Sequence, residues 1–284
     1  MAIAFPFDFR MRSPSGDVGR AVASIWYARG TIPYQREKVA PTGSTVAVVV
    51  LGDPIIETPG GPRAEPFTAT QGFLIGPHDR PVVNEPTGET FAVGIVTTPT
   101  GAPALGLEPS ALAGRVLDLM TAWTPARGLR ADLLALEGDP DTMLDTVEAC
   151  LRGELRPDTP GLARAEAAVG ALAADPARAI AEIAAELGVS HGHLDREFTR
   201  IVGLSPRRLA RLLRMEQLLA RLDIDEPTPW ADLAAALGWV DQSHLIRDFR
   251  RHTGTTPSAY LAARRAFASE APSAEAARFV PESM

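Results

Sequence analysis

The side chains best suited to gripping a polyanion are concentrated in one part of this chain. Residues 190–267 hold twelve arginines against nine carboxylates, together with four of the five histidines (His191, His193, His244 and His252). Arginine presents a planar fork that fits a phosphate, or the edge of a guanine, two hydrogen bonds at a time. The net charge of −7 therefore says less than where the charge lies. The arginines also recur in register. AEIAAELGVSHGHLDREFTRIVGLSP (181–206) aligns with ADLAAALGWVDQSHLIRDFRRHTGTTP (231–257) at an offset of 50, then of 51 after one extra residue in the second copy. Arg196 and Arg200 fall on Arg247 and Arg251, Leu194 and Phe198 on Leu245 and Phe249, and Gly188 and Gly203 on Gly238 and Gly254.

Other chemistries find little support. Two residues apart on a helix, His191 and His193 point about 200° away from each other and cannot share a metal. His78 is the one histidine before residue 190, so the converging histidines of a metal-dependent cupin enzyme are missing. The single cysteine, Cys150, rules out a disulfide framework and a thiolate zinc site. It sits among Met143, Leu144, Val147 and Leu151 and reads as a small buried hydrophobe. There is no GxSxG, no phosphate-binding loop and no paired catalytic constellation. The sequence predicts no enzyme, no cofactor and no metal. No apolar run approaches the roughly 18 residues of a membrane span. The start, MAIAFPFDFRMR, lacks signal-peptide order, which predicts a cytoplasmic protein without a membrane partner.

The elements that must hold the arginines can be read from the repeat. Each copy reads as helix, tight turn, helix. Ile183, Ala184 and Leu187 form an apolar stripe on the first helix. Gly188 and Gly238 stand where a helix ends in a left-handed residue, and Gly203 and Gly254 end the second helices. Ser190 and Asp241 are placed as N-caps of the second helices. Val189 with Leu194, and Val240 with Leu245, are placed as hydrophobic staples. With Leu194, Phe198 and Ile201 inward, the first unit turns His191, Gly192, Asp195, Arg196 and Thr199 outward. With Leu245 and Phe249 inward, the second turns out Gln242, Ser243, Ile246, Arg247 and Arg250. The N-terminal half of such a second helix enters the major groove. Between the units, PRRLARLLRMEQLLARL (206–222) predicts a connecting helix of roughly 25 Å. Such a rod lets two reading helices meet groove segments about 34 Å apart, one DNA turn. Ser190, Arg200, Arg207, Arg208, Arg250 and Arg251 are candidates for backbone phosphate contacts, which add affinity without specificity. Arg207, Arg208, Arg211 and Arg214 could equally serve to solubilise the connecting helix.

The fold class is α+β. Residues 1–105 carry short β-branched and aromatic runs, Val22–Tyr27, Thr45–Leu51, Gly72–Ile75 and Phe91–Val96, between Pro/Gly punctuation. They predict a small antiparallel β-barrel or sandwich. Residues 106–157 predict a helical linker or dimerisation region, with helices over Ala111–Trp123, Leu129–Leu136 and Thr142–Leu151. Val116, Leu117, Leu119 and Met120 are candidates for a dimer seam or for packing on the β domain. Residues 158–267 form the all-α domain with two helix-turn-helix units, and 268–284 a flexible tail.

Residues 162–267, about 40% of the chain, resemble the paired helix-turn-helix domain of AraC/XylS-type regulators. LGWVDQSHLIRDFRRHTGTTPSAYL (237–261) carries most of the resemblance. It implies sequence-specific binding to double-stranded DNA, with base contacts from Gly192, Asp195 and Arg196 in the first unit and Gln242, Ser243, His244 and Arg247 in the second. Gly192 departs from the larger side chains often found there, which implies that the first helix either reads fewer bases or relies on His191 and Arg196. Residues 1–105 resemble the small, cupin-like β domain that precedes this domain in many relatives and implies a sensor domain; SIWYARG, VVVLGDP and GPRAEPF resemble a subgroup whose sensor domain has no well-defined ligand. RNA polymerase, a small-molecule effector and a second copy of the chain are the further candidate partners. The alternative is a sensor or interaction protein with only non-specific DNA binding.

Overall fold

The computed structural model describes residues 7–32, 35–61, 65–136, 138–223, 226, 228–266 and 279–282. Its N-terminal half is built on strands β1 (Asp8–Arg12), β2 (Val22–Gly30), β3 (Arg36–Val39), β4 (Val46–Val50), β5 (Ile55–Pro59), β6 (Phe67–Ala69), β7 (Gly72–Ile75), β8 (Val82–Pro86), β9 (Thr90–Thr97) and β10 (Val116–Asp118). All pairings are antiparallel, and they nest: β2 with β9, β3 with β8, β4 with β7 and β9, β5 with β8 and β6. Outermost strands pair with outermost and inner with inner, which is jelly-roll connectivity. The result is two sheets, ordered β1-β2-β9-β4-β7-β10 and β11-β3-β8-β5-β6, where β11 is Phe279–Glu282. Of the two shapes expected, the structure takes the sandwich and not the closed barrel.

The central strand β4 shows why alternation is absent from VAVVV. Val48 and Val50 face the second sheet, packing with Ile55, Phe73 and Val82. Ala47 and Val49 face the helices, packing with Leu74, Ile95 and Leu119. A strand buried on both faces reads as a continuous apolar run. The interior also holds a polar row. Glu37, Asn84 and Glu57 lie opposite one another across β3, β8 and β5. Glu57 is 2% exposed and its Oε2 has no hydrogen-bond partner. Burial first, and then the charge of Glu37, hold its carboxyl well above the usual range.

The stretch 106–157 packs against the outer face of the six-stranded sheet. α1 (Gly16–Ala21) joins α3 (Leu119–Ala122), α4 (Ala126–Ala135) and α5 (Pro140–Glu154) there, burying Trp123, Leu129, Leu133, Met143 and Val147. The helix expected over Ala111–Trp123 is not formed. It is divided into α2 (Pro109–Leu112), β10 and α3. Gly114 adopts φ 70°, a left-handed residue that ends a helix, and Val116–Asp118 then adds to the sheet edge beside β7. Leu119 and Met120 are buried in the outer-face core, so they form no exposed seam. Of the tail, most lies outside the described residues; Phe279–Glu282 pairs with β3.

The C-terminal half contains α6 (Leu162–Ala174), α7 (Ile180–Glu186), α8 (His191–Val202), α9 (Pro206–Leu219), α10 (Trp230–Ala236), α11 (Gln242–Thr253) and α12 (Pro257–Ala266). It has two cores, one per unit. Leu194, Phe198 and Ile201 anchor the first, and Leu245, Phe249 and Tyr260 the second. α9 serves both: Leu209, Ala210 and Leu212 enter the first core, Met215, Leu218 and Leu219 the second. Among the described residues no helix is long and apolar enough to cross a membrane.

Candidate nucleic-acid interface

Both second helices of the repeat start and stop as their residues dictate. The Ser190 Oγ accepts from the His193 N–H at 3.3 Å, and Asp241 Oδ1 from the His244 N–H at 2.6 Å. Gly203 and Gly254 close α8 and α11 at φ 80° and 70°. The preceding turns use Gly188 and Gly238 at φ 69° and 77°. Val189 packs against the first core, as a staple would. Val240 does not repeat this: it is 88% exposed, and buried Trp239 takes the apolar place instead. The extra residue of the second copy is absorbed by turning Val240 outward.

The outward faces carry the candidate base readers. His191, Gly192 and Arg196 are exposed on α8, with Asp195 half-buried. With no side chain at Gly192, the Arg196 guanidinium lies over the first turn, 3.6 Å from where a Cβ would stand. On α11, Gln242, Ser243 and Arg247 are exposed. His244 is half-buried, with Nε2 3.6 Å from Asp248 Oδ2, and the same oxygen accepts from Trp239 Nε1 at 2.9 Å. His244 is thus partly committed to its own helix.

Two clefts gather these groups. One, of about 520 Å³, runs between the units and is lined by His191, Arg207, Arg211, Arg214 and His244. The other, of about 470 Å³, lies beside α11 and is lined by Arg211, Arg247, Arg250 and Arg251, and by Arg80 of the β domain. Not every basic candidate faces outward. Arg214 donates to the Gly238 and Pro176 carbonyls at 3.1 and 3.5 Å and stacks over Trp239. It ties α9 to the turn after α10 and to the connection between α6 and α7. Arg200 donates to the Pro160 carbonyl at 2.6 Å, fastening α8 to the segment before α6. Arg207 and Arg250 stay exposed.

The β domain reaches into this region through the six-residue segment Gly76–Pro81, through Lys38, and through the turn at Gly43, where a Cβ would stand 2.7 Å from Leu209 Cδ1. Pro77 meets the C-terminal end of α8: a Cβ on Gly203 would stand 2.9 Å from its Cγ and 2.7 Å from the Pro109 carbonyl oxygen. Pro81 meets the C-terminal end of α11, where a Cβ on Gly254 would stand 3.0 Å from its Cγ and 2.8 Å from Lys38 Cδ. Between them Asp79 accepts from Arg251 at 2.7 Å and faces Arg208 at 3.8 Å. Burial alone would raise the Asp79 carboxyl; the Arg251 hydrogen bond and the charges of Arg251 and Arg208 outweigh it and hold the carboxyl below its ordinary value. Next to this contact His252 is 1% exposed, its Nδ1 2.8 Å from the Asp248 carbonyl, and burial pushes its pKa down. So of the basic candidates, Arg208 and Arg251 are shared with a carboxylate 172 residues from Arg251 in sequence. Nothing local in the sequence marks that pairing, nor the presence of Arg80 in the cleft.

Residues 163–263 match a family described as a helix-turn-helix domain, and residues 10–118 one described as a domain of unknown function (DUF6597). No curated protein matches as a relative. Among solved structures, the chain is similar to ToxT from Vibrio cholerae at 11% identity and a TM-score of 0.47, over 90% of this chain and 98% of that one. It is similar to the same protein bound to an unsaturated fatty acid at 11% identity and a TM-score of 0.46, over 92% and 97%. It is similar to the AraC-like transcriptional activator CuxR at 16% identity and a TM-score of 0.28, over 75% and 86%.

Proposed function

We propose, from the premise that this chain is a DNA-binding transcription regulator with a helix-turn-helix domain of the AraC/XylS type, that a single protomer reads two successive major-groove segments. The duplicated geometry carries this reading. α8 and α11 are each capped at the N-terminus, buried on one face and bare on the other, and both are fixed to α9. His191, Gly192, Asp195 and Arg196 make up the first reading surface, and Gln242, Ser243, His244 and Arg247 the second. Arg196 and Arg247 are the principal readers: each is exposed one turn into its helix and suited to the O6/N7 edge of guanine. Asp195 is suited to accepting from a cytosine amino group. Arg207 and Arg250 hold backbone phosphates, joined by Ser190 at the start of α8. Arg208 and Arg251 share their charge between phosphate and Asp79, and Arg200 acts mainly through its hold on Pro160. The jelly roll is the regulatory half, passing the state of an effector, or of a second copy, through the Gly76–Pro81 contact.

Selection of the purified full chain against a random duplex pool tests this. Two enriched blocks about ten base pairs apart are the expected result. A single block would assign specificity to one unit alone. No enrichment, even at low salt, would refute the reading.

A further inference from the structure

We infer that Arg80, a residue of the β domain, is a DNA backbone contact, so that the phosphate-binding surface beside α11 is completed from outside the helix-turn-helix domain. The inference rests on the DNA-reading function proposed above. The cleft beside α11 is lined by Arg80, Arg211, Arg247, Arg250 and Arg251. One carboxylate lines it, Asp248, whose Oδ2 already accepts from Trp239 and faces His244. Arg251 is paired with Asp79. Among the described residues, Arg80, Arg211, Arg247 and Arg250 have no ion-pair partner. Four unpaired guanidinium groups around one space repel each other and are best satisfied by a ligand with several anionic oxygens. The cleft opens beside the exposed face of α11, where Arg247 reads and Arg250 faces outward, so the phosphodiesters flanking the read bases are the anions that come within reach.

Arg80 is also held in place. Its neighbour Asp79 is pinned by Arg251, and proline at 77 and 81 restricts the segment on both sides. From behind, the turn after β5 presses on it: a Cβ on Gly60 would stand 2.9 Å from Arg80 Cβ and 2.3 Å from the Pro81 oxygen. A side chain on a braced segment loses less freedom when it closes on a phosphate.

The test is binding of the full chain to its selected duplex across a salt series, in wild type and Arg80→Ala, with Arg80→Lys alongside. The expected result for Arg80→Ala is an affinity loss of about 3- to 10-fold, uniform across sequences, with the log–log salt slope smaller by about one and the selected base motif unchanged. Arg80→Lys, which keeps the charge, recovers most of the slope. Matching thermal melts show that the variants are folded. An unchanged slope and affinity in Arg80→Ala, while wild type still binds selectively, overturns this inference and leaves the DNA-reading function standing. A thermal shift with inorganic phosphate that Arg80→Ala abolishes, with the DNA salt slope intact, assigns the cleft to a free anion and equally overturns it. Failure of wild type to bind any duplex selectively removes the DNA-reading function itself, and this inference with it.

Discussion

Arg196 and Arg247 are equivalent in the repeat and both exposed. Replacing either with alanine is expected to cost about 1–3 kcal/mol of binding and to relax base preference in one block only. Parallel selections with the two variants check this; an unchanged motif in both would count against base reading. Two buried titratable groups give predictions of opposite sign. Burial lowers the pKa of His252 in the folded chain, opposed by the Asp248 carbonyl and by the Asp248 and Asp79 charges and reinforced by Arg251. The unfolded chain then binds the proton more readily, so stability is full above the ordinary histidine range and falls as pH drops below it. His78 is shifted in the same direction by burial. The melting temperature is expected to fall between about pH 7.5 and about pH 5.5, and His252→Gln to flatten part of that fall. Glu57 behaves the other way. Its folded pKa is raised, so its contribution is full below the ordinary glutamate value and is lost as pH rises through the folded one. Glu57→Gln is expected to stabilise the chain at neutral pH by about 1–3 kcal/mol, measured by denaturant melts. At this scale the arginine faces were legible because the repeat displays them twice. Glu57 was not: a charge in a short strand normally faces water, and nothing in IIETP marks it as interior.

At the scale of elements, the helix-turn-helix units were legible almost to the residue, because their signals are local. Caps, left-handed glycines and core spacing lie within a dozen residues of one another, and Ser190, Asp241, Gly203 and Gly254 take the positions their types suggest. Ser190→Ala and Asp241→Ala should each cost about 0.5–2 kcal/mol of stability, with the larger loss of helix-turn-helix order at the mutated unit, seen by amide exchange. The β half was legible only in its most apolar strands. β3, β5, β6 and β8 are short, partly polar and defined by partners far away in sequence. The apolar spacing of 111–123 suited a helix as well as a strand followed by a turn of helix. Gly114 and the open edge of β7 decided between them. Val240 was misassigned as a staple because the alignment could not say which residue of the Trp239–Val240 pair was the insertion; the larger indole is the one buried.

At the scale of the molecule, the two halves are joined by side-chain hydrogen bonds that link residues 138 to 216 positions apart: Arg20 with Asp158 and Glu166, Asp79 with Arg251, Lys38 with the Gly254 carbonyl. No local pattern encodes such pairs, so sequence reading located both halves and missed their joint. Asp79→Asn removes the charge between Arg208 and Arg251. The expected outcome in a random-pool selection is a spread in the distance between the two enriched blocks, with each block's own bases unchanged. A spacing as sharp as that of wild type would show that the contact does not constrain the helices. The segment from Pro77 to Pro81 touches the C-terminal ends of both α8 and α11, while α9 joins the same two units along the chain. The pair therefore works as a closed frame with two struts, one covalent and one not. A frame of this kind keeps its shape when either strut is stiff and the other braced. Lengthening the loop by one residue would then alter which operator spacings fit, although no residue of the DNA-binding half had changed: part of the ruler that measures the DNA would be kept in the β domain.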